Sequence, residues 1–171
     1  MNRTFLGAVG TVAIVGAFTT AAALTAPANA KSASAPPPPG LTVTATRQAA
    51  APNSTAAAPA AASVITCTLY PGQYPHKSSH VPGTVNYVAT ASCDAPVVRV
   101  TVAATLQGPI PLAPVHGTPG SGTISAQSNA AMPCYSGRYF GYATMTVTFP
   151  PGYSPNPQTT NGTGPTVPIT C

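Results

Sequence analysis

From residue 64 onward the chain is a series of short runs in which apolar and polar side chains alternate. The longest runs from Cys134 to Phe149. In it Tyr139, Ala143, Met145, Val147 and Phe149 fall on one side, and Phe140 and Tyr142 on the other. Val64–Tyr70 places Ile65, Cys67 and Leu69 together. Thr84–Cys93 does the same with Val85, Tyr87, Ala89, Ala91 and Cys93, and Val97–Leu106 with Val98, Val100, Val102, Ala104 and Leu106. A period of two in stretches rich in Val and Thr predicts strands with one buried face. Three shorter candidates lie at 112–115, 123–128 and 166–171. Between the candidates stand stretches dense in Pro, Gly, Asn and Ser, at 71–83, 94–96, 107–122 and 150–165, and these predict turns and loops.

No segment carries a helical period. Glu is absent and Lys nearly so, which removes the usual helix formers. About seven strands joined by turns predict an all-β fold, an immunoglobulin-like antiparallel β-sandwich. Ser136-Gly137-Arg138-Tyr139-Phe140-Gly141 adds a local cue. A tyrosine at the start of strand F, two residues before that strand's cysteine, bonds back to the chain upstream in domains of this architecture. Here Tyr139 fills the tyrosine position and Gly141 stands where the cysteine would be. The chain also lacks Trp, so the likeness to antibody domains is at the level of the sandwich.

Upstream of residue 64 the pattern changes. Met1-Asn2-Arg3 is followed by an uncharged, apolar-centred stretch to Ala30, ending in Ala28-Asn29-Ala30. That predicts a signal peptide over residues 1–30, cut after Ala30, leaving no membrane span. Residues 31–63 hold four consecutive prolines at 36–39 and alanine runs broken by Pro52 and Pro59. They read as a disordered Ala/Pro-rich linker, within which Leu41–Ala45 alternates weakly and is a candidate for pairing with a sheet edge. The folded domain is then expected over 64–171.

The four cysteines narrow the connectivity. An exported chain with four usually pairs them all. In an antiparallel hairpin, opposed residues are equidistant from the turn. Cys67 and Cys93 are centred on residue 80, inside the first loop, and Cys134 and Cys171 on the Pro150–Tyr153 turn. The expected bonds are therefore 67–93 and 134–171, each contributing on the order of 3 kcal/mol. A structural metal site would want Cys-x-x-Cys spacing, which is missing.

Charge and candidate chemistry exclude more than they assign. Of 171 residues six are Lys or Arg and one is acidic, Asp94, for a net charge of +5. The cations are scattered singly, unlike the clusters that bind phosphate backbones, so no nucleic-acid partner is expected. With one carboxylate there is no acid pair for glycoside hydrolysis. Asp94 precedes Ala95-Pro96 and reads as a turn residue. No Gly-x-Ser-x-Gly context supports a triad with His76, His80 or His116. The expectation is a non-enzyme that uses no cofactor. Pro75-His76-Lys77-Ser78-Ser79-His80 is the best cluster for a metal, with His116 as a third ligand, but an exposed loop accounts for it and no metal site is assigned. Phe140 and Tyr142, opposite the inward face, form the expected partner-binding face.

Cys67, His80-Val-Pro-Gly-Thr-Val85, Ala91-Ser-Cys93, Pro133-Cys134, Ser136-Gly-Arg-Tyr139, Phe149-Pro-Pro-Gly-Tyr153 and Cys171 together resemble a group of small secreted actinobacterial proteins. The resemblance implies secretion and a two-disulfide domain, and no activity. Met132-Pro133-Cys134-Tyr135 also resembles the reactive loop of the subtilisin inhibitors of streptomycetes, although their strand–helix pattern is absent. The apoproteins of enediyne antibiotics are similar in architecture alone. Two functions are expected from this. One is a secreted binding or structural module that meets an extracellular protein or cell-wall component. The other is a serine protease inhibitor acting through an exposed loop.

Overall fold

The computed structural model describes residues 39–48, 64–72 and 74–171, and these form two antiparallel sheets with no helix among them. The signal peptide and most of the expected linker lie outside the described residues. Twelve strands follow in order: β1 (Leu41–Arg47), β2 (Val64–Tyr70), β3 (His76–Lys77), β4 (Thr84–Cys93), β5 (Arg99–Gln107), β6 (Val115–His116), β7 (Gly120–Gly122), β8 (Ser125–Pro133), β9 (Gly137–Thr148), β10 (Tyr153–Ser154), β11 (Gln158–Thr163) and β12 (Val167–Ile169). The first sheet runs β10-β1-β2-β4-β3, with β8 on the other edge of β4. The second runs β11-β9-β5-β6, with β12 also on β9 and β7 also on β5.

Alternation decides which side of each strand is buried. In β9 the odd residues from Tyr139 to Val147 are buried, and the even ones face outward. β4 and β5 do the same with Val85, Tyr87, Ala89, Val100, Val102 and Leu106. The two inward sets meet in one core of Val, Ala, Leu, Met, Tyr and Phe side chains.

Leu41–Arg47 corrects the reading of 31–63 as linker throughout. It pairs with β2 over six residues, from Leu41 opposite Leu69 to Thr46 opposite Val64. Val43 and Ala45 are buried in the core. Two apolar side chains suffice because the ladder satisfies the backbone and the surrounding threonines face solvent. The polar loop expected over 150–165 likewise contains a strand, β11, which has no large apolar residue. It holds through its ladder on β9, and Gln158 Nε2 donates to the Thr44 carbonyl in the opposite sheet.

The sandwich architecture agrees with the expectation from sequence, while its strand order is its own. Antibody constant domains place the third strand in the sheet opposite the second. Here β2 and β4 form a hairpin within one sheet, and the chain crosses over between β4 and β5. On one side of the sandwich, segment 115–122 closes the gap between β5 and β8. Gly120 lies so near β8 that an added Cβ would fall 1.7 Å from the Gln127 carbonyl oxygen, which admits only glycine. Buried Ser128 ties the sheets there, its Oγ accepting from Ala104 N at 3.0 Å and donating to the Thr118 carbonyl at 2.8 Å.

Both expected disulfides are formed, 67–93 and 134–171. Cys67 and Cys93 are direct ladder partners with Cα atoms 4.0 Å apart. Along β9 the register shifts once. Gly164 N donates to the Gly141 carbonyl, but the next pair is Val167 with Tyr139, so the later strand carries one extra residue. The Tyr139 corner is also present. Its hydroxyl donates to the Tyr135 carbonyl at 2.7 Å and accepts from Tyr135 N at 2.9 Å. Gly141, at the position compared with a cysteine, gives its space to Tyr87 of the facing sheet. A Cβ on Gly141 would sit 2.0 Å from that ring.

Candidate functional site

Phe140 and Tyr142 both point outward from β9, as their parity requires, but the structure separates their roles. Tyr142 is half-buried between Thr105 of β5 and Thr163 of β11, its ladder partners on either side. It belongs to an outer face of cross-strand threonine rows. In one such row Thr146 Oγ1 lies 3.1 Å from Thr159 Oγ1. Phe140 sits nearer the end of the sheet, opposite Gln107, and lines a groove of about 670 Å³ with Pro109, Ile110 and Arg138.

The groove's far wall is the turn after β5. Leu112 N donates to the Pro109 carbonyl at 2.9 Å, and Gln107 Nε2 donates to the carbonyls of Gly108 and Leu112 at 3.1 and 2.9 Å. These bonds hold the turn so that Ile110 stands at its tip, 95 % exposed. Pro109 packs over Gly137, where an added Cβ would come within 2.4 Å of the proline ring. An isoleucine held in water beside a partly exposed phenylalanine is the arrangement that a partner's apolar side chain can cover. Arg138 sets one positive charge at the rim. Sequence periodicity could find Phe140. It could not find Ile110, which lies in an aperiodic Pro-rich turn.

The other sequence candidates are dispersed. Asp94 closes the end of the β2–β4 ladder, its Oδ1 accepting from Thr66 N at 2.9 Å while its own N donates to the Thr66 carbonyl at 3.0 Å. This is the turn role expected of it. His76 and His80 border one hollow on the outside of the first sheet. His116 lies in the second sheet with its Nδ1 3.0 Å from Thr105 Oγ1, so it is not a third ligand for them. Of the stretch likened to an inhibitor's reactive loop, Met132 is only 5 % exposed, in β8 opposite Val85, Cys134 is half-buried, and Pro133 and Tyr135 are exposed.

Burial pushes the Tyr87 hydroxyl up from 10.0 to about 12, and that hydroxyl donates to the Pro71 carbonyl. Tyr87 is packed in the core and unavailable to a ligand, so the shift bears on stability. No helix among the described residues is long and apolar enough to cross a membrane. Comparison with protein-family models, with curated proteins and with solved structures finds no match for this chain.

Proposed function

We propose that this protein is a secreted, non-enzymatic binding module that meets an extracellular protein through the groove between Phe140 and Ile110. The observation that carries the reading is Ile110, 95 % exposed on a turn fixed by three hydrogen bonds. A large aliphatic side chain in water is unfavourable, and a rigid mount lowers the entropy lost when a partner covers it. Arg138 favours a partner with a carboxylate next to its apolar contact. Secretion is supported by the two disulfides, which belong to oxidising compartments, and by the N-terminal sequence pattern. The Tyr139 corner supports kinship of architecture with immunoglobulin-like domains, and the cysteine-flanking motifs support the actinobacterial group named above.

The test is capture from culture fluid and wall extract by the wild-type chain and by an Ile110→Asp/Phe140→Ala double variant. A partner retained by the wild type and lost at least about tenfold by the variant supports the groove. The same bands retained by both would refute it. The inhibitor reading passes from the buried Met132 to the same exposed turn. Excess protein is therefore assayed against a panel of secreted serine proteases. Inhibition that Ile110→Gly abolishes would make this protein an inhibitor, and no inhibition removes that function.

A further inference from the structure

The second concave feature lies on the outside of the first sheet, and we propose that it is a binding site for a neutral saccharide. It is a hollow of about 580 Å³ floored by β2, β4 and β8 and overhung by the loop that carries His76 and His80. The register builds the floor. Tyr70 is opposite Thr90, and Thr90 is opposite Gln127, giving one row across three strands. The next row pairs Val88 with Asn129, and the next His76 with Asn86. Because strands lie about 4.8 Å apart and alternate residues share a face, three amide side chains and one tyrosine ring converge on one small area.

Four features of these groups suit a polyhydroxylated, uncharged ligand. Asn86 Oδ1 is buried and has no donor among the described residues. A buried acceptor left unpaired is destabilising, because it has lost water and gained no donor, and a ligand hydroxyl would relieve it. The Gln127 and Asn129 side chains make no hydrogen bond within the described protein. Each therefore offers donors and an acceptor together, the complement of a hydroxyl that does both. His76 Nδ1 lies 3.0 Å from the Tyr74 carbonyl, which can only accept, so Nδ1 donates there and the bond orients the ring, leaving Nε2 to meet a ligand hydroxyl. Tyr70, 46 % exposed, supplies an aromatic surface for the apolar C–H face of a sugar ring.

The lining also selects against other ligands. No Lys, Arg or Asp borders the hollow, so no permanent charge there compensates a phosphate, a uronate or an ammonium group. A metal would have two imidazoles, and the described residues contain no group of three His, Cys, Asp or Glu that could hold an ion. Apart from Tyr70, Pro71 and Val88 the lining is polar or glycine, which suits a sugar better than an apolar peptide side chain. This site and the Phe140–Ile110 groove lie on opposite sheets, so either can fail without the other.

The experiment uses the full chain labelled with ¹⁵N, titrated to about 10 mM with the tetrasaccharides of N-acetylglucosamine, β-1,4-glucose and mannose and with the matching monosaccharides. Saturable shifts of the Asn86, Gln127 and Asn129 side-chain amides are expected with at least one sugar, at a Kd of about 0.1–1 mM. Tyr70→Ala and Gln127→Ala/Asn129→Ala should each weaken them at least about tenfold, with the core resonances unchanged as evidence of folding. Tighter binding of the tetrasaccharide points to a polymer, and equal binding of the monosaccharide to a free sugar. Absence of saturable shifts with all six sugars overturns the proposal, as do shifts that survive in the variants. Zn²⁺ titrating His76 and His80 stoichiometrically while no sugar binds would also overturn it and assign the hollow to a metal. Ile110→Asp/Phe140→Ala should leave sugar binding intact.

Discussion

Each sheet contains a pairing closed by a disulfide, and the two closures do different work. Cys67 and Cys93 sit inside the β2–β4 ladder, both buried, 0 % and 8 % exposed. Their bond joins residues that the sheet already holds together, and its sulfur atoms are part of the core. Cys134 and Cys171 lie beyond the ends of β9 and β12, where Cys171 N also donates to Ser136 Oγ at 2.9 Å. That bond pins the C-terminal strand after the one-residue shift in register. The first bond is buried at both ends and adds packing to chain restriction, while the second packs only its Cys134 end against the core and leaves Cys171 exposed. The loops they close, 26 and 37 residues apart in sequence, differ too little for length to separate them.

The sharpest test of this difference removes each bond as a pair of alanines. Loop entropy alone predicts losses of about 3–4 kcal/mol for both, slightly more for 134–171. If burial decides, Cys67→Ala/Cys93→Ala costs about 5 kcal/mol because it also leaves a void, and Cys134→Ala/Cys171→Ala about 3 kcal/mol. Urea unfolding of the two variants measures this. Equal losses, or the reverse order, would show that the buried position of Cys67–Cys93 adds nothing.

Next in size is the seam where the two halves meet. Tyr87 of β4 reaches across the core to Gly141 of β9, a large side chain seated against the absence of one. Gly141→Ala puts a methyl group into a fully buried ring that cannot swing away, since its hydroxyl is bound to the Pro71 carbonyl. A loss of about 3 kcal/mol is expected. Tyr87→Leu in the same chain should recover part of it, because the smaller side chain yields the space. Strictly additive losses in that double variant would mean the two residues do not share a contact.

Both halves were legible in sequence to the extent that alternation records burial. β2 and β4 match the predicted limits, since each has an unbroken apolar parity ending at a turn residue. The cysteine pairing followed from the centring of the two hairpins, and the extra residue near Pro165 did not spoil it because a disulfide tolerates one step of register. Legibility failed where burial was one-sided or absent. β11 reads Gln-Thr-Thr-Asn-Gly-Thr and is held by ladder bonds and polar side-chain bonds, so hydrophobic pattern had nothing to report. β1 has two buried residues, Val43 and Ala45, within a segment whose flanks are low-complexity. For the candidate sites the limit was different. Parity placed Phe140 and Tyr142 outward, but the groove depends on Ile110, and the hollow on three strands and a loop brought together by register. Gln127, Asn129 and Tyr70 are far apart in the chain and ordinary one by one.

The smallest expected effect concerns Tyr87, one of the two fully buried tyrosines that anchor the halves. Tyr139 completes a corner at the crossover from β8 to β9, accepting from Tyr135 N and donating to the Tyr135 carbonyl. Tyr87 donates one bond, to Pro71, from deep in the core, where burial holds its ionisation at about 12 against an ordinary value of 10.0. Between these two values the unfolded chain releases this proton and the folded chain keeps it, so the unfolded state gains. Stability from this group is therefore complete below pH 10 and lost as pH rises toward 12. The loss is no more than about 3 kcal/mol. Tyr87→Phe costs about 1 kcal/mol at neutral pH through the missing hydrogen bond, but has no such proton to release. The stability gap between wild type and Tyr87→Phe should accordingly narrow and then reverse across that window. Urea midpoints for the two proteins that fall in parallel from pH 9 to 12 would place the alkaline loss in other groups and leave Tyr87 with a packing role alone.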